Sequence, residues 1–218
     1  MPDGRAPTAT ERWMQEDPHA VQTARVFVFG RSGCGKSTLA RLIYSRPQRP
    51  GVAVWVVDPL REHPVPVGPG GKRFRLPPGT FVDSGAGYDL ADQVGRQALA
   101  QGNVLLVVEE AALCHQGRKP PPGLMLCAIE GRHRGVHLLV LSQRPSAVHH
   151  DLKAQATDYC VFSLWTPPDV EAVKDLGFDP DAVRALPVGS YLHCAAGGQP
   201  HQHTGASSPC TEQKEHVS

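Results

Sequence analysis

Eight consecutive residues, Gly30-Arg31-Ser32-Gly33-Cys34-Gly35-Lys36-Ser37, fit the pattern G-x-x-x-x-G-K-[S/T] in full. The chemistry this spacing supports is polyphosphate binding. Glycines let successive backbone N–H groups turn toward one anion, and the N-terminus of a following helix adds partial positive charge. Lys36 would reach the β- and γ-phosphates, and Ser37 would offer its hydroxyl to Mg²⁺. The expected nucleotide contacts are Gly30, Arg31, Ser32, Gly33, Cys34, Gly35, Lys36, Ser37 and Thr38. Arg31, Ser32 and Cys34 fill positions the pattern leaves open. The expected cofactors are ATP and Mg²⁺.

A phosphate loop needs an acid nearby, at the end of another buried strand. Val104–Val108 is such a run and delivers Glu109-Glu110. One carboxylate there can hold Mg²⁺, a role given to Glu109, and the next can polarise an attacking water, a role given to Glu110. The usual pair is Asp-Glu; this chain has Glu at both places. Asp58, at the end of a different strand, is the alternative acid, or else a cap on the turn before Pro59. Gln143 ends a further strand and is positioned to hydrogen-bond the γ-phosphate or its water, and so to register hydrolysis.

The elements that must hold these groups are legible in the hydrophobic pattern. Arg25-Val-Phe-Val-Phe29 reads as a buried strand ahead of the loop, and Lys36–Tyr44 as a helix after it, with Leu39, Leu42 and Ile43 on one face. Further strands are expected at 52–57, 104–108, 136–141 and 159–164, and a last one at 190–194. Helices are expected at 88–101, at 124–130, and from a Ser146 cap to about Gln155. Thr166-Pro167 and Asp179-Pro180 each pair a cap with a first-turn proline and mark two short helices. Residues 59–80, rich in proline, read as a stiff loop with room for a short strand. Strands alternating with helices predict an α/β fold, three-layered, around a mostly parallel central sheet.

Composition bounds the rest. The chain has 218 residues, enough for one domain with a sizeable core. Residues 1–22 read as an N-terminal arm with a short helix near Thr10, 23–194 as the catalytic domain, and 195–218, rich in Gly, Ser, His and Gln, as a disordered tail. The net charge of +1 excludes a protein that grips nucleic acid by bulk charge, though not one with placed basic patches. Six cysteines form no CxxC pair and read as buried, reduced thiols. His193, Cys194, His201 and His203 match no standard zinc spacing, and His149 and His150 read as helix surface. No apolar run approaches the roughly 20 residues of a membrane helix, and no signal-peptide pattern opens the chain, so a cytoplasmic protein is expected.

Taken in order, GRSGCGKS, LLVVEEAAL and GRHRGVHLLVLSQRPS resemble the FtsK–HerA superfamily of P-loop DNA-pumping ATPases, across about residues 24–194. The core's size is similar to that of the genome-packaging ATPases of tailless, membrane-containing double-stranded DNA viruses. The resemblance implies a RecA/ASCE-like P-loop fold and ATP hydrolysis coupled to movement of double-stranded DNA. It also implies a homo-oligomeric ring, usually a hexamer, with capsid or portal-vertex proteins as possible partners. A viral protein of this kind would work in the host cytoplasm or attached to the virion.

Basic residues cluster at Lys72, Arg73 and Arg75, at Arg118 and Lys119, and at Arg132, His133 and Arg134. Such clusters can touch DNA phosphates without reading sequence. Arg132 or Arg134 can instead serve as an arginine finger on a neighbour's γ-phosphate, with Arg144 a third candidate. The alternative function is a small P-loop kinase acting on a nucleoside or other small molecule. Such a kinase needs an Arg-rich lid, and the loop at 115–123 offers only Arg118 and Lys119.

Overall fold

A computed structural model describes residues 24–45, 51–61, 70–78, 80, 85–115 and 119–204. The N-terminal arm, Arg118 and residues 205–218 lie outside the described residues.

The chain builds one eight-stranded sheet in the order β3-β2-β4-β5-β1-β6-β7-β8. Its strands are β1 (Arg25–Phe29), β2 (Ala53–Val57), β3 (Lys72–Phe74), β4 (Val104–Val108), β5 (Val136–Ser142), β6 (Asp158–Val161), β7 (Ser190–Ala195) and β8 (His201–Thr204). Among the described residues the helices are α1 (Lys36–Ser45), α2 (Ala86–Gln101), α3 (Ala111–His115), α4 (Pro122–Glu130), α5 (His150–Lys153), α6 (Pro167–Lys174) and α7 (Pro180–Ala185). Strands β1 to β6 run parallel, and β7 and β8 are antiparallel additions at one edge.

The central strands are apolar on both faces because both faces are covered. Val26 and Val28 meet α1 through Leu39, Ala40 and Ile43. Phe27 and Phe29 point the other way, into a core shared with α2, α3, α4, α6 and α7. This gives the expected three layers. Leu42, expected on the buried face of α1, is 43% exposed. Tyr44 takes the buried place instead, four residues on from Ala40.

Helices α2 and α4 cross at close range through two glycines. A Cβ on Gly95 would lie 2.4 Å from the carbonyl carbon of Gly123. The contact is fixed by Gly123 N–H donating to Asp92 Oδ1 at 2.5 Å.

Three expectations are corrected. Ser146 does not cap a long helix. It sits in a 3₁₀ turn, Pro145–Ala147, and both its N–H and its hydroxyl donate to Asp169 Oδ1 on α6. Only α5 follows, capped by His149, whose Nδ1 accepts from Asp151 N–H at 3.3 Å. The sixth strand stops at Val161 rather than 164; past it Phe162 N–H still donates to Phe29 O, and Ser163 O then accepts from Arg31 N–H, so the segment holds the loop that follows β1 instead of continuing the sheet. Finally, residues 195–204, expected within the disordered tail, form a hairpin: β8 pairs with β7, and His203 stacks on Tyr191 with centroids 5.2 Å apart. Gly198 N–H donates to Ala195 O at 2.8 Å, turning the chain through Ala196 and Gly197, the latter at φ +78°.

Candidate functional site

Parallel strands present their carboxyl ends on one edge, and the register brings five of these ends level. Phe29 lies beside Ser142 on one side and Val161 on the other, while Val108 lies beside both Val57 and Val140. The loop after β1 therefore faces the residues that follow β2, β4 and β5. Ligand crevices in open α/β sheets form at this edge.

The loop itself needs its glycines. Gly30 has φ +154°, and a Cβ there would stand 2.5 Å from Phe162 Cβ and 2.7 Å from Cys34 Sγ. Gly30 N–H donates to Ser142 O at 3.3 Å and Arg31 N–H to Ser163 O at 3.1 Å, so both neighbouring strands hold the turn. Cys34 is buried, and burial pushes its thiol up. It faces the core on the α1 side rather than the cleft. Lys36, the first residue of α1, is nearly buried, and its Nζ donates to Arg31 O at 3.0 Å.

One cleft is lined by Ser32, Gly33, Lys36, Ser37, Asp58, Glu109, Glu110 and Gln143, with Leu60 and Leu141 as apolar walls. The loop, both acids and the strand-end glutamine thus meet in one place. Thr38 follows in the first turn of α1, half-buried. Glu109 is buried, and its N–H donates to Val57 O at 3.0 Å. Glu110 adopts φ +50°, a conformation rare for a residue with a Cβ and characteristic of functional turns. Its Oε1 accepts from Ser142 Oγ at 2.9 Å, and both carboxylate oxygens lie 3.1 Å from Gln143 N–H. Burial raises the Glu110 carboxyl, while Ser142, Gln143 and the nearby Lys36 charge pull it down. Asp58 is fully buried and pairs with Arg75, Nε to Oδ2 at 3.3 Å. It is an acid already held by a cation, on the wall of the cleft.

The other basic residues are dispersed. Lys72 lies over the Trp55 ring at 4.3 Å on the edge strand β3, so this cluster is built into the sheet rather than carried on a loop. Arg132, His133 and Arg134 form an exposed 3₁₀ turn ahead of β5, at the opposite end of the sheet from the phosphate loop. Neither arginine lies at the cleft. Arg144 is exposed at the same end as the loop. His193 lies in the core, Nε2 3.0 Å from Asp158 Oδ1, and Cys194 belongs to the core on the opposite face of the sheet.

Two relationships have no signal in the local sequence. Ser142 is the hydroxyl that ties β5 to Glu110. Trp165, 63% exposed, carries the Arg31 guanidinium 4.2 Å above its ring.

Neither a protein-family model nor a curated protein matches the sequence. Solved structures match its fold. The genome-packaging NTPase B204 of Sulfolobus turreted icosahedral virus 2, in complex with AMPPCP, superposes with a TM-score of 0.64 at 15% identity, covering 84% of this chain and 98% of that one. The pCW3 conjugation coupling protein TcpA with ATPγS gives 0.60 at 18% identity, over 83% of this chain and 60% of that one. The cytoplasmic domain of the Thermomonospora curvata type VII secretion ATPase EccC gives 0.61 at 20% identity, over 88% of this chain and 26% of that one. The fold of this chain is that of these three proteins, an α/β P-loop fold around a mostly parallel sheet. Among the described residues no helix is long and apolar enough to cross a membrane.

Proposed function

We propose that the protein is an ATP-hydrolysing double-stranded DNA translocase, the subunit of a viral genome-packaging motor. The observation that carries this reading is the convergence of Lys36, Ser37, Glu109, Glu110 and Gln143 in one cleft at the carboxyl ends of β1, β4 and β5. The likeness to a genome-packaging NTPase over nearly that protein's whole length supports the cargo.

The donor set suits ATP with Mg²⁺. The glycine cradle admits no Cβ at Gly30, and the cleft offers one ammonium, two serine hydroxyls and three carboxylates, of which Asp58 is paired with Arg75. Ser37 and Glu109 would hold the metal, whose charge would offset that of the β- and γ-phosphates. Lys36 exchanges its bond to Arg31 O for the phosphates and stabilises the charge that develops as the terminal P–O bond breaks. Glu110, freed from Gln143 N–H, takes a proton from the attacking water. Gln143 contacts the γ-phosphate or that water. Once the phosphate has left, Glu110 returns to Gln143 N–H, so hydrolysis is felt in β5 and the turn after it. Subunits assemble in a hexameric ring around DNA, with Arg132 or Arg134 reaching the next subunit's γ-phosphate, and the ring docks on capsid or portal-vertex proteins.

The destination of the γ-phosphate tests the enzyme class. With γ-labelled ATP and a panel of nucleosides, all label is expected as inorganic phosphate. Label on a nucleoside would replace the translocase with a small P-loop kinase.

A further inference from the structure

Arg31 and Trp165 stand on the side of the phosphate loop away from the acids, and hydrolysis as described gives neither a part. In the sheet, β4 and β5, which lead to Glu109, Glu110 and Gln143, lie to one side of β1; β6 and β7 lie to the other. The cleaved end of a nucleotide must face the acids and the glutamine. Its nucleoside end therefore leaves the loop toward β6 and β7.

The surface there is unusual. Trp165, just past β6, is 63% exposed, and Val188, just ahead of β7, is 65% exposed. Both segments are fastened to the loop. Arg31 N–H donates to Ser163 O at 3.1 Å, and Gly189 N–H donates to Cys34 O at 3.0 Å. Arg31 Nε also donates to Ser163 Oγ at 3.1 Å, which steers the guanidinium over the indole, 4.2 Å from its centroid. A cation thus covers part of the ring and holds it, and the rest is open to water. A rigid aromatic surface of this kind suits a planar ligand, because stacking on it costs little side-chain entropy.

The geometry points to Trp165 as the platform on which the purine base of the nucleotide stacks, braced by Arg31, with Val188 as an apolar edge of the same subsite. This rests on the reading of the cleft as the ATP site and adds how the base is held. Every base has a π-face, so a stacking platform reads size more than hydrogen-bond pattern, and GTP should bind nearly as well as ATP.

The test measures equilibrium binding of ATP and of tripolyphosphate, which lacks ribose and base, to the full chain and to Trp165→Ala and Trp165→Phe. Loss of the platform should raise the Kd for ATP roughly tenfold, on the scale of one stacked base. Tripolyphosphate binding should be unchanged, and Trp165→Phe should restore most of the ATP affinity. An ATP Kd unchanged in Trp165→Ala would overturn the platform. So would an equal loss for both ligands, since Trp165 would then only prop the loop. If the unaltered chain bound neither ligand, the ATP site itself would fall.

Discussion

Ser142 Oγ donates to Glu110 Oε1 at 2.9 Å, joining the residue that ends β5 to the second acid after β4. The bond pins a carboxylate that burial pushes toward its neutral form, in a residue already held at φ +50°. Ser142 also lies beside Phe29 in the register, and its carbonyl accepts from Gly30 N–H. One residue thus touches the phosphate loop through its backbone and the acid through its side chain.

Ser142→Ala removes the hydroxyl and leaves the backbone bond to Gly30. A hydrogen bond to a charged group is worth about 1.5–3 kcal/mol. Steady-state kinetics should show kcat falling by roughly one order of magnitude with KM for ATP within about twofold. A raised KM with unchanged kcat would place Ser142 in nucleotide binding instead.

Glu110→Gln keeps the shape and both acceptor contacts on one oxygen but cannot take a proton. Hydrolysis should slow by about 10²–10⁴-fold, as expected for loss of a general base, while ATP stays bound. Filter binding with labelled ATP and single-turnover assays separate the two effects. Should Glu109→Gln be the variant that retains unhydrolysed ATP, the two carboxylates exchange roles.

Gly30→Ala tests the cradle without touching a reactive group. The new Cβ would meet Phe162 Cβ at 2.5 Å, at a φ that disfavours any side chain. A loss of about 2 kcal/mol or more is expected, lowering Tm by roughly 4–8 °C in a domain of this size. An unchanged melting curve would mean the loop can shift away from β6.

How much of this was legible in the sequence varies with the range of the interactions. Strands β1 and β4 appear where expected, since continuous β-branched and aliphatic runs mark strands buried on both faces. The phosphate loop was legible for the same local reason, as were both acids and Gln143. Strand β8 was not: a polar His-Gln-His-Thr run becomes a strand only because β7 offers an edge to pair with and Tyr191 a ring to stack on. The helix expected after Ser146 was lost to a partner 23 residues away, Asp169. Asp58 reads from the sequence as an alternative acid or a turn cap; its pairing with Arg75 depends on the chain after β3 returning to the end of β2. Trp165 carries no motif, and its meaning depends on β6 lying next to β1.

The place of the 132–134 turn, at the far end of its own sheet, makes a prediction about assembly. Lys36→Ala should be inactive or nearly so alone, and so should whichever of Arg132→Ala and Arg134→Ala removes the finger. Mixing the functional arginine variant with Lys36→Ala should recover measurable ATPase activity, because some interfaces then combine an intact loop with an intact arginine. If no mixture recovers activity and Arg144→Ala is the deleterious change, Arg144 takes that role.

The most direct measurement is phosphate release from ATP by the purified full chain, with and without linear double-stranded DNA, beside Lys36→Ala. A DNA translocase predicts turnover that rises several-fold with DNA and falls to background in Lys36→Ala. Turnover indifferent to DNA, or retained without Lys36, would contradict it.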